Sequence, residues 1–90
     1  MSVKIDIPSY MKSFTNNKGV LEVSGSTVGE CLNHLVKQFP QIKKQLFSKA
    51  GNLFENIIIS INGESAYPEQ LAKPVKDGDK LKIVLVVGGG

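Results

Sequence analysis

The stretch KLKIVLVVGGG, Lys80 to Gly90, decides the fold of this sequence. Its first eight residues are mainly β-branched and other apolar residues, a composition typical of a strand with neighbours on both sides rather than of an edge strand. Three glycines, the most flexible residue type, follow that strand directly. We therefore expect one domain over residues 1–87 that ends in a central strand, and a flexible glycine tail over residues 88–90.

Length and composition restrict the class of protein. The 90 residues suffice for one core, since chains of this size cannot divide their buried surface between two. An apolar fraction of 41% and a charged fraction of 21% are typical of a globular domain. The sequence has neither the roughly 18 consecutive apolar residues of a membrane span nor a recognisable signal peptide at residues 1–9, so we expect a cytoplasmic protein.

The net charge of +3 comes entirely from lysines, because the sequence contains no arginine. Arginine is the usual bidentate ligand of phosphates and guanine edges, so its absence disfavours nucleic acid as a partner. The lysines are best interpreted as a solvated surface, and a protein partner with an acidic patch stays open.

The first third of the chain predicts a β-hairpin. Apolar and polar residues alternate over residues 3–7, as in a strand with one buried face. Pro8 cannot donate to a strand ladder, so we expect the strand to bulge or break there before residues 10–14 (YMKSF) continue it. Residues 16–19 (NNKG) tolerate positive φ, and the second predicted strand follows at residues 20–23.

A helix follows the hairpin. Thr27 and Glu30 have the spacing of a capping box, in which each side chain accepts a backbone N–H of the helix start. Apolar residues then recur on one helical face until Pro40 ends the helix: Val28, Leu32, Leu35, Val36 and Phe39. We expect this amphipathic helix to pack on the sheet, and residues 41–47 (QIKKQLF) to add a further turn or two.

The second half predicts strands separated by turns. Residues 56–61 (NIIISI) predict a strand that is covered on both faces or paired centrally, and Asn62-Gly63 after it predicts a tight turn. A short edge strand and a one-turn helix are expected within residues 64–75, before a turn at residues 76–79 (KDGD). The whole order predicts an α+β fold, the β-grasp or ubiquitin-like fold: a mixed sheet of four to five strands with one main helix across one face.

Few side chains are candidates for catalysis or metal binding. Cys31 lies at the flank of the apolar helix face, where packing is the favoured interpretation, and as the single cysteine it cannot form an intramolecular disulfide. His34 is predicted to point away from that face into solvent, without a catalytic or metal-binding partner. Asp77 and Asp79 flank a turn glycine and lack the other ligands of a calcium loop. We therefore expect no catalytic residue, no metal ion and no stably bound cofactor.

The main-chain carboxylate at Gly90 is the remaining candidate. A carboxylate is a poor electrophile until one oxygen becomes a leaving group, so a reactive tail requires an enzyme that uses ATP to adenylate it. Glycines lack Cβ and therefore fit between the walls of a narrow channel, and three extended residues reach at most about 10–11 Å. The alternative is that residues 88–90 are merely a frayed end.

Four motifs in this order resemble the ThiS/MoaD-type sulfur-carrier family of ubiquitin-like proteins. They are GSTVGECLNHL (25–35), NIIISINGE (56–64), KPVKDGDKLKIV (73–84) and the terminal glycine pair. The long first hairpin and the segment FPQIKKQLFSKAGNLFENI are most similar to the carriers of cysteine biosynthesis, and then to the small subunits of molybdopterin synthase.

The resemblance implies a carrier, not an enzyme. An E1-like adenylating enzyme activates the Gly90 carboxylate with ATP, the carboxylate becomes a thiocarboxylate, and a sulfur-acceptor synthase takes the sulfur for cysteine, molybdopterin or thiamine. Gly89 is the second member of the pair and Gly88 is additional. We expect a monomer when the protein is free, with no membrane partner. The family often has a proline and an alanine shortly before Gly-Gly. This sequence has four apolar residues at 84–87 and then Gly88, which either replaces the alanine or starts the tail one residue earlier. The arginine of cysteine-pathway relatives after Asn62-Gly63 is absent here.

Val84 and Val86 form a candidate docking strip for the partner. They alternate along the last strand with residues predicted to face the helix, which places them on the opposite sheet face beside the tail. The alternative is that loops cover them. Two other functions also stay open: a ubiquitin-like modifier conjugated through Gly90, and a β-grasp interaction module whose tail is incidental.

Overall fold

The structure is a computed structural model that describes residues 2–86. Its strands are β1 (Ser2–Asp6), β2 (Val20–Ser24), β3 (Ile57–Ile61), β4 (Glu64–Ser65) and β5 (Lys80–Leu85). Its α-helices are α1 (Val28–Gln38) and α2 (Lys43–Leu46), and shorter 3₁₀ helices cover Ser9–Thr15, Pro40–Ile42 and Gln70–Ala72.

The strands form one mixed sheet in the order β2-β1-β5-β3-β4. The last strand lies in the middle, parallel to β1 and antiparallel to β3, which confirms the prediction from its apolar composition. The two long hairpin strands pair antiparallel, with Ser2 opposite Ser24 and Asp6 opposite Val20. With α1 connecting β2 to β3 and packing on one face of this sheet, the architecture is the predicted β-grasp.

The core lies between α1 and the sheet. Alternate residues of each long strand are buried, as are the inward residues of α1. Its fully buried aliphatic side chains include Ile5, Leu32, Leu35, Ile59 and Leu81. Burying such a side chain contributes about 1.5–3 kcal/mol, so this layer supplies the main driving force for folding.

The start of α1 is capped largely as predicted. The Thr27 hydroxyl accepts the backbone N–H of Glu30 at 3.2 Å. The Glu30 carboxylate, however, accepts from the backbone N–H and hydroxyl of Ser26, at 2.9 and 2.8 Å, instead of from the Thr27 N–H that a capping box requires. Both arrangements occupy polar groups that would otherwise be unpaired at the helix start.

The prediction for residues 10–14 is wrong, because this segment is helical. Pro8 has no N–H and ends the strand, and its carbonyl then accepts the N–H of Met11 at 2.9 Å, which begins the 3₁₀ helix Ser9–Thr15. Met11 and Thr15 are buried on one side of that helix. The connection still closes a hairpin, since Ile7 N–H donates to the Gly19 carbonyl at 2.7 Å.

The turns of the second half are confirmed. Asn62 and Gly63 have φ of 52° and 88°, values that favour these two residue types, and they connect β3 to the two-residue edge strand β4. Gly78 has φ of 87° in the turn before β5. The predicted further turns after Pro40 are the 3₁₀ helix Pro40–Ile42 and α2. Strand β3 has β5 and β4 as neighbours, which satisfies its predicted pairing on both sides.

Candidate functional site: the exit of the last strand

The chain leaves the sheet beside the start of β3. Leu85 lies opposite Ile57, and one residue further the Val86 N–H donates to the Asn56 carbonyl at 2.7 Å. Strand β5 is also held on its other side by β1, through the pairs Lys4–Lys80 to Asp6–Lys82. Strand β5 is thus paired with β1 at its start and with β3 along its length, up to the Val86–Asn56 hydrogen bond.

A short apolar strip borders this exit on the sheet face opposite α1. Val86 is 42% exposed and Val84 is half-buried. The β3–β5 register places Ile58 directly opposite Val84, so Ile58 extends the strip onto β3. Sequence reasoning missed Ile58, because only the strand register assigns it a partner across the strands. The role of the strip in docking stays a prediction.

The predicted tail residues Gly88, Gly89 and Gly90 lie outside the described residues 2–86. The position of Gly90 as the reactive end is therefore a prediction from the sequence. What the structure contributes is the location and pairing of the strand that precedes it.

Cys31 is a packing residue. Its side chain is 0% exposed within the cluster that joins α1 to the sheet. Burial, and secondarily the nearby Glu30 carboxylate, raise the pKa of the thiol above its usual value. Since the thiolate is the nucleophilic form, a buried thiol with a raised pKa is poorly suited to carry sulfur or an acyl group.

His34 differs from the prediction that it faces solvent alone. It is half-buried, and its Nδ1 accepts the backbone N–H of Ser24 at 2.7 Å. Its Nε2 lies 3.2 Å from Gln38 Nε2. The side chain thus connects α1 to the end of strand β2, which is a structural role.

The two turn aspartates have structural partners. Asp77 Oδ1 accepts the Ser2 N–H at 2.8 Å. The Asp79 carboxylate accepts the Lys76 N–H at 2.8 Å and the Asn62 side-chain amide at 3.0 Å, and these bonds hold its pKa below the usual value. Within residues 2–86, no group of three histidine, cysteine or acidic side chains is placed to hold a metal ion.

Among those same residues, no helix is both long and apolar enough to cross a membrane. The arrangement as a whole can present one chain end and an adjoining apolar strip to another protein.

Comparison with known proteins identifies one family over almost the whole chain. The model of the ThiS family matches residues 6–90. The sulfur carrier protein CysO of Mycobacterium tuberculosis is 29% identical, with all of both chains covered. Small archaeal modifier protein 1 of Haloferax volcanii is 34% identical over 78% of each chain.

A solved structure agrees with these sequence matches. A chain of the BexX/CysO complex of Amycolatopsis orientalis superposes with a TM-score of 0.88, at 30% identity, over 98% of this chain and 99% of that one. The fold, the position of the last strand and the family match lead to one conclusion: this chain belongs to the ThiS family of ubiquitin-like β-grasp proteins.

Proposed function

We propose that this protein is a sulfur carrier that holds sulfur as a thiocarboxylate at Gly90. The main observation in support is that the match to the ThiS family extends through the glycines to residue 90. The CysO relatives, which are named sulfur carriers, support the same function. As a carrier, the chain acts in the cytoplasm as a co-substrate of other enzymes.

The proposed chemistry begins on a partner enzyme. A Gly90 carboxylate oxygen attacks the α-phosphate of ATP on an E1-like adenylating enzyme, which releases pyrophosphate and leaves an acyl adenylate. A sulfide-level sulfur nucleophile then attacks the carbonyl carbon and displaces AMP, so that one oxygen of the carboxylate is replaced by sulfur. ATP is used by that enzyme and is not a resident cofactor of this chain.

The chain itself contributes position and access. Strand β5 fixes where residue 87 begins, through its two neighbouring strands and the Val86–Asn56 hydrogen bond. We propose that Gly88, Gly89 and Gly90 then enter the partner's channel, where the absence of Cβ allows close approach. Ordering them costs about 1–2 kcal/mol per residue, which contacts to the folded body must offset.

The acceptor that we propose is a synthase of sulfur amino acid biosynthesis. The similarity to CysO supports cysteine as the product, with molybdopterin as the alternative. A CysO chain that forms a complex with BexX supports a stable protein partner for the carrier. Ile58, Val84 and Val86 are the apolar contacts that we assign to such partners.

Protein modification is the second candidate, favoured by the similarity to small archaeal modifier protein 1. In that case a lysine amine attacks the same acyl adenylate, and an isopeptide bond forms as AMP leaves. The two functions share activation at Gly90 and differ in the nucleophile. Higher-mass bands on blots that disappear when Gly90 is deleted would favour modification.

The test is conversion of the purified protein by its activating enzyme, ATP and sulfide, followed by intact-mass measurement. We expect a mass increase equal to one oxygen-to-sulfur exchange, and none after deletion of Gly90. An unchanged mass with every adenylating enzyme of the same organism would overturn the proposal.

A further inference from the structure

A second feature near the tail exit is a basic groove on the surface formed by α2 and the loop after it. It has a volume of about 730 Å³ and is open to solvent. Six residues line it: Lys43, Lys44, Phe47, Ser48, Lys49 and Phe54. We call this the basic groove, and it does not coincide with the Ile58–Val84–Val86 strip.

Backbone hydrogen bonds hold the groove in shape. Phe47 and Leu53 form an antiparallel bridge, and within it the Ser48 N–H donates to the Asn52 carbonyl at 2.8 Å. The Phe54 N–H donates to the Leu46 carbonyl at 3.0 Å. These bonds hold the loop, and with it Phe54, beside α2, so the loop and the helix form the two walls of the groove.

The charge of the groove is uncompensated within the described part of the chain. Lys43, Lys44 and Lys49 are all exposed, and no acidic residue is among the lining residues. Neither ion pair found in residues 2–86, Lys73–Glu69 or Lys80–Asp6, involves a groove lysine. Three like charges around one concave surface favour an anionic occupant.

The groove is also apolar. Phe54 is 37% exposed, which is unusual for a side chain of its size, and Phe47 is half-buried against the core. A phosphate-containing ligand would be expected to meet arginine forks or converging backbone N–H groups, whereas this sequence has no arginine and the lysine side chains are mobile point charges. Carboxylates spaced along a peptide, with an apolar side chain between them, match this combination better.

The position of the groove indicates which protein supplies that peptide. The Phe54 carbonyl accepts the Ile57 N–H at 3.0 Å, so Phe54 lies in the turn that leads into β3. Asn56, in the same turn, accepts the Val86 N–H where the tail begins. A protein that encloses the tail therefore comes close to Phe54.

We propose that the basic groove binds an acidic segment, with one apolar side chain, of the enzyme that processes the tail. This inference rests on the proposed sulfur-carrier function. It adds a second contact between the carrier and its partner enzyme, besides the Ile58–Val84–Val86 strip. The apolar side chain packs on Phe47 and Phe54, and carboxylates on either side of it face the three lysines. The groove thereby contributes to the choice of partner, since surface charge affects association rate and specificity more than affinity.

The experiment compares two variants with equal net charge in calorimetric titrations against the activating enzyme and the acceptor synthase. The groove variant is K43Q/K44Q/K49Q, and the control is K18Q/K37Q/K76Q, which changes three exposed lysines elsewhere. We expect binding to at least one of the two enzymes to weaken by about threefold to 150-fold in the groove variant only, the range given by three exposed ion pairs. F54A should weaken the same interaction, and added salt should reduce the difference between groove variant and control.

The outcomes separate this inference from the proposed function. If the wild-type chain gains sulfur but the groove variant binds both enzymes as tightly as the control, the groove inference is wrong and the sulfur-carrier function stands. If the wild-type chain binds neither enzyme and gains no sulfur, the proposed function fails. Saturable binding of ATP alone, or self-association, that is lost in K43Q/K44Q/K49Q would assign the groove to a nucleotide or a second copy and overturn the inference. Circular dichroism of each variant checks that it is folded.

Discussion

At the scale of single residues, lack of space for a side chain explains why a glycine precedes α1. Gly25 precedes α1, and a Cβ at this position would lie 2.8 Å from the Cys31 nitrogen and 2.9 Å from the Glu30 Cβ. Both distances are shorter than real Cβ contacts allow, so the helix start would have to shift. The same turn holds the Ser26–Glu30 hydrogen bonds, which makes Gly25 a condition for the cap.

We expect Gly25→Ala to reduce the free energy of unfolding by about 1–3 kcal/mol, the usual cost of overpacking. Chemical denaturation followed by circular dichroism measures it. Gly19→Ala is the matched control, because its added Cβ meets only the flexible end of Lys12, whose Cε is 3.1 Å away. Equal stability of the two variants would show that the close approach at Gly25 is not limiting.

Asp79 gives the protein a predictable response to acid. Hydrogen bonds from the Lys76 N–H and the Asn62 side chain lower its pKa in the folded state relative to the unfolded value of 3.8. A lowered pKa stabilises the fold above the unfolded value, and this contribution is lost as the pH falls through the folded-state pKa.

The stability difference between wild type and Asp79→Asn should therefore be largest near neutral pH. It should shrink as the pH is lowered below the unfolded-state pKa of 3.8. Urea denaturation at a series of pH values measures this difference. A difference that stays constant across the acid range would contradict the assigned role of the Asp79 charge.

At the scale of elements, strand β5 connects folding to function. Its buried residues Leu81 and Ile83 belong to the core, while Val84 and Val86 lie on the opposite face with Ile58. The first set anchors the strand in the core, and we propose the second set as a contact for a partner protein. One element therefore supplies both the rigid support and a contact surface.

We expect Val86→Asp to weaken binding to the partner enzymes at least about tenfold, equivalent to about 1.4 kcal/mol, because a carboxylate replaces an apolar contact. Val20→Asp is the control. Val20 is 51% exposed and lies on the edge strand β2, which β1 separates from β5. Titration of both variants into each partner measures the effect, and equal affinities would remove the strip as a docking surface.

The same scale explains what the sequence could and could not predict. Alternation in β1 and β2 and the helical spacing in α1 identify elements because each buries one regular face. The strand predicted at residues 10–14 is wrong because so short a segment fits either period: Met11, Phe14 and Thr15 also have the i, i+3 and i+4 spacing of a helical face. The proline upstream favours a new turn. Ile58 and the basic groove depend on strand register and on the Phe47–Leu53 bridge, which are long-range pairings that a local pattern does not encode.

At the scale of the whole molecule, residues 2–86 form one sheet with β5 at its centre. The central position of β5 makes the exit point depend on the entire sheet, since β1 and β3 hold the strand from both sides. The tail chemistry stays a prediction from the sequence, in which an apolar strand followed by glycines leaves the Gly90 carboxylate as the candidate once Cys31 is assigned to packing. The buried state of Cys31 in the structure agrees with that assignment.

We propose that sulfur is carried by the main-chain carboxylate of Gly90 and not by the Cys31 thiol. The most direct measurement is tandem mass spectrometry of the protein after incubation with its activating enzyme, ATP and sulfide. We predict that the added sulfur appears only in fragments that contain Gly90, and that Cys31→Ala is loaded as fully as the wild-type protein. Sulfur found on the fragment that contains Cys31, and missing from Cys31→Ala, would show instead that the thiol carries it.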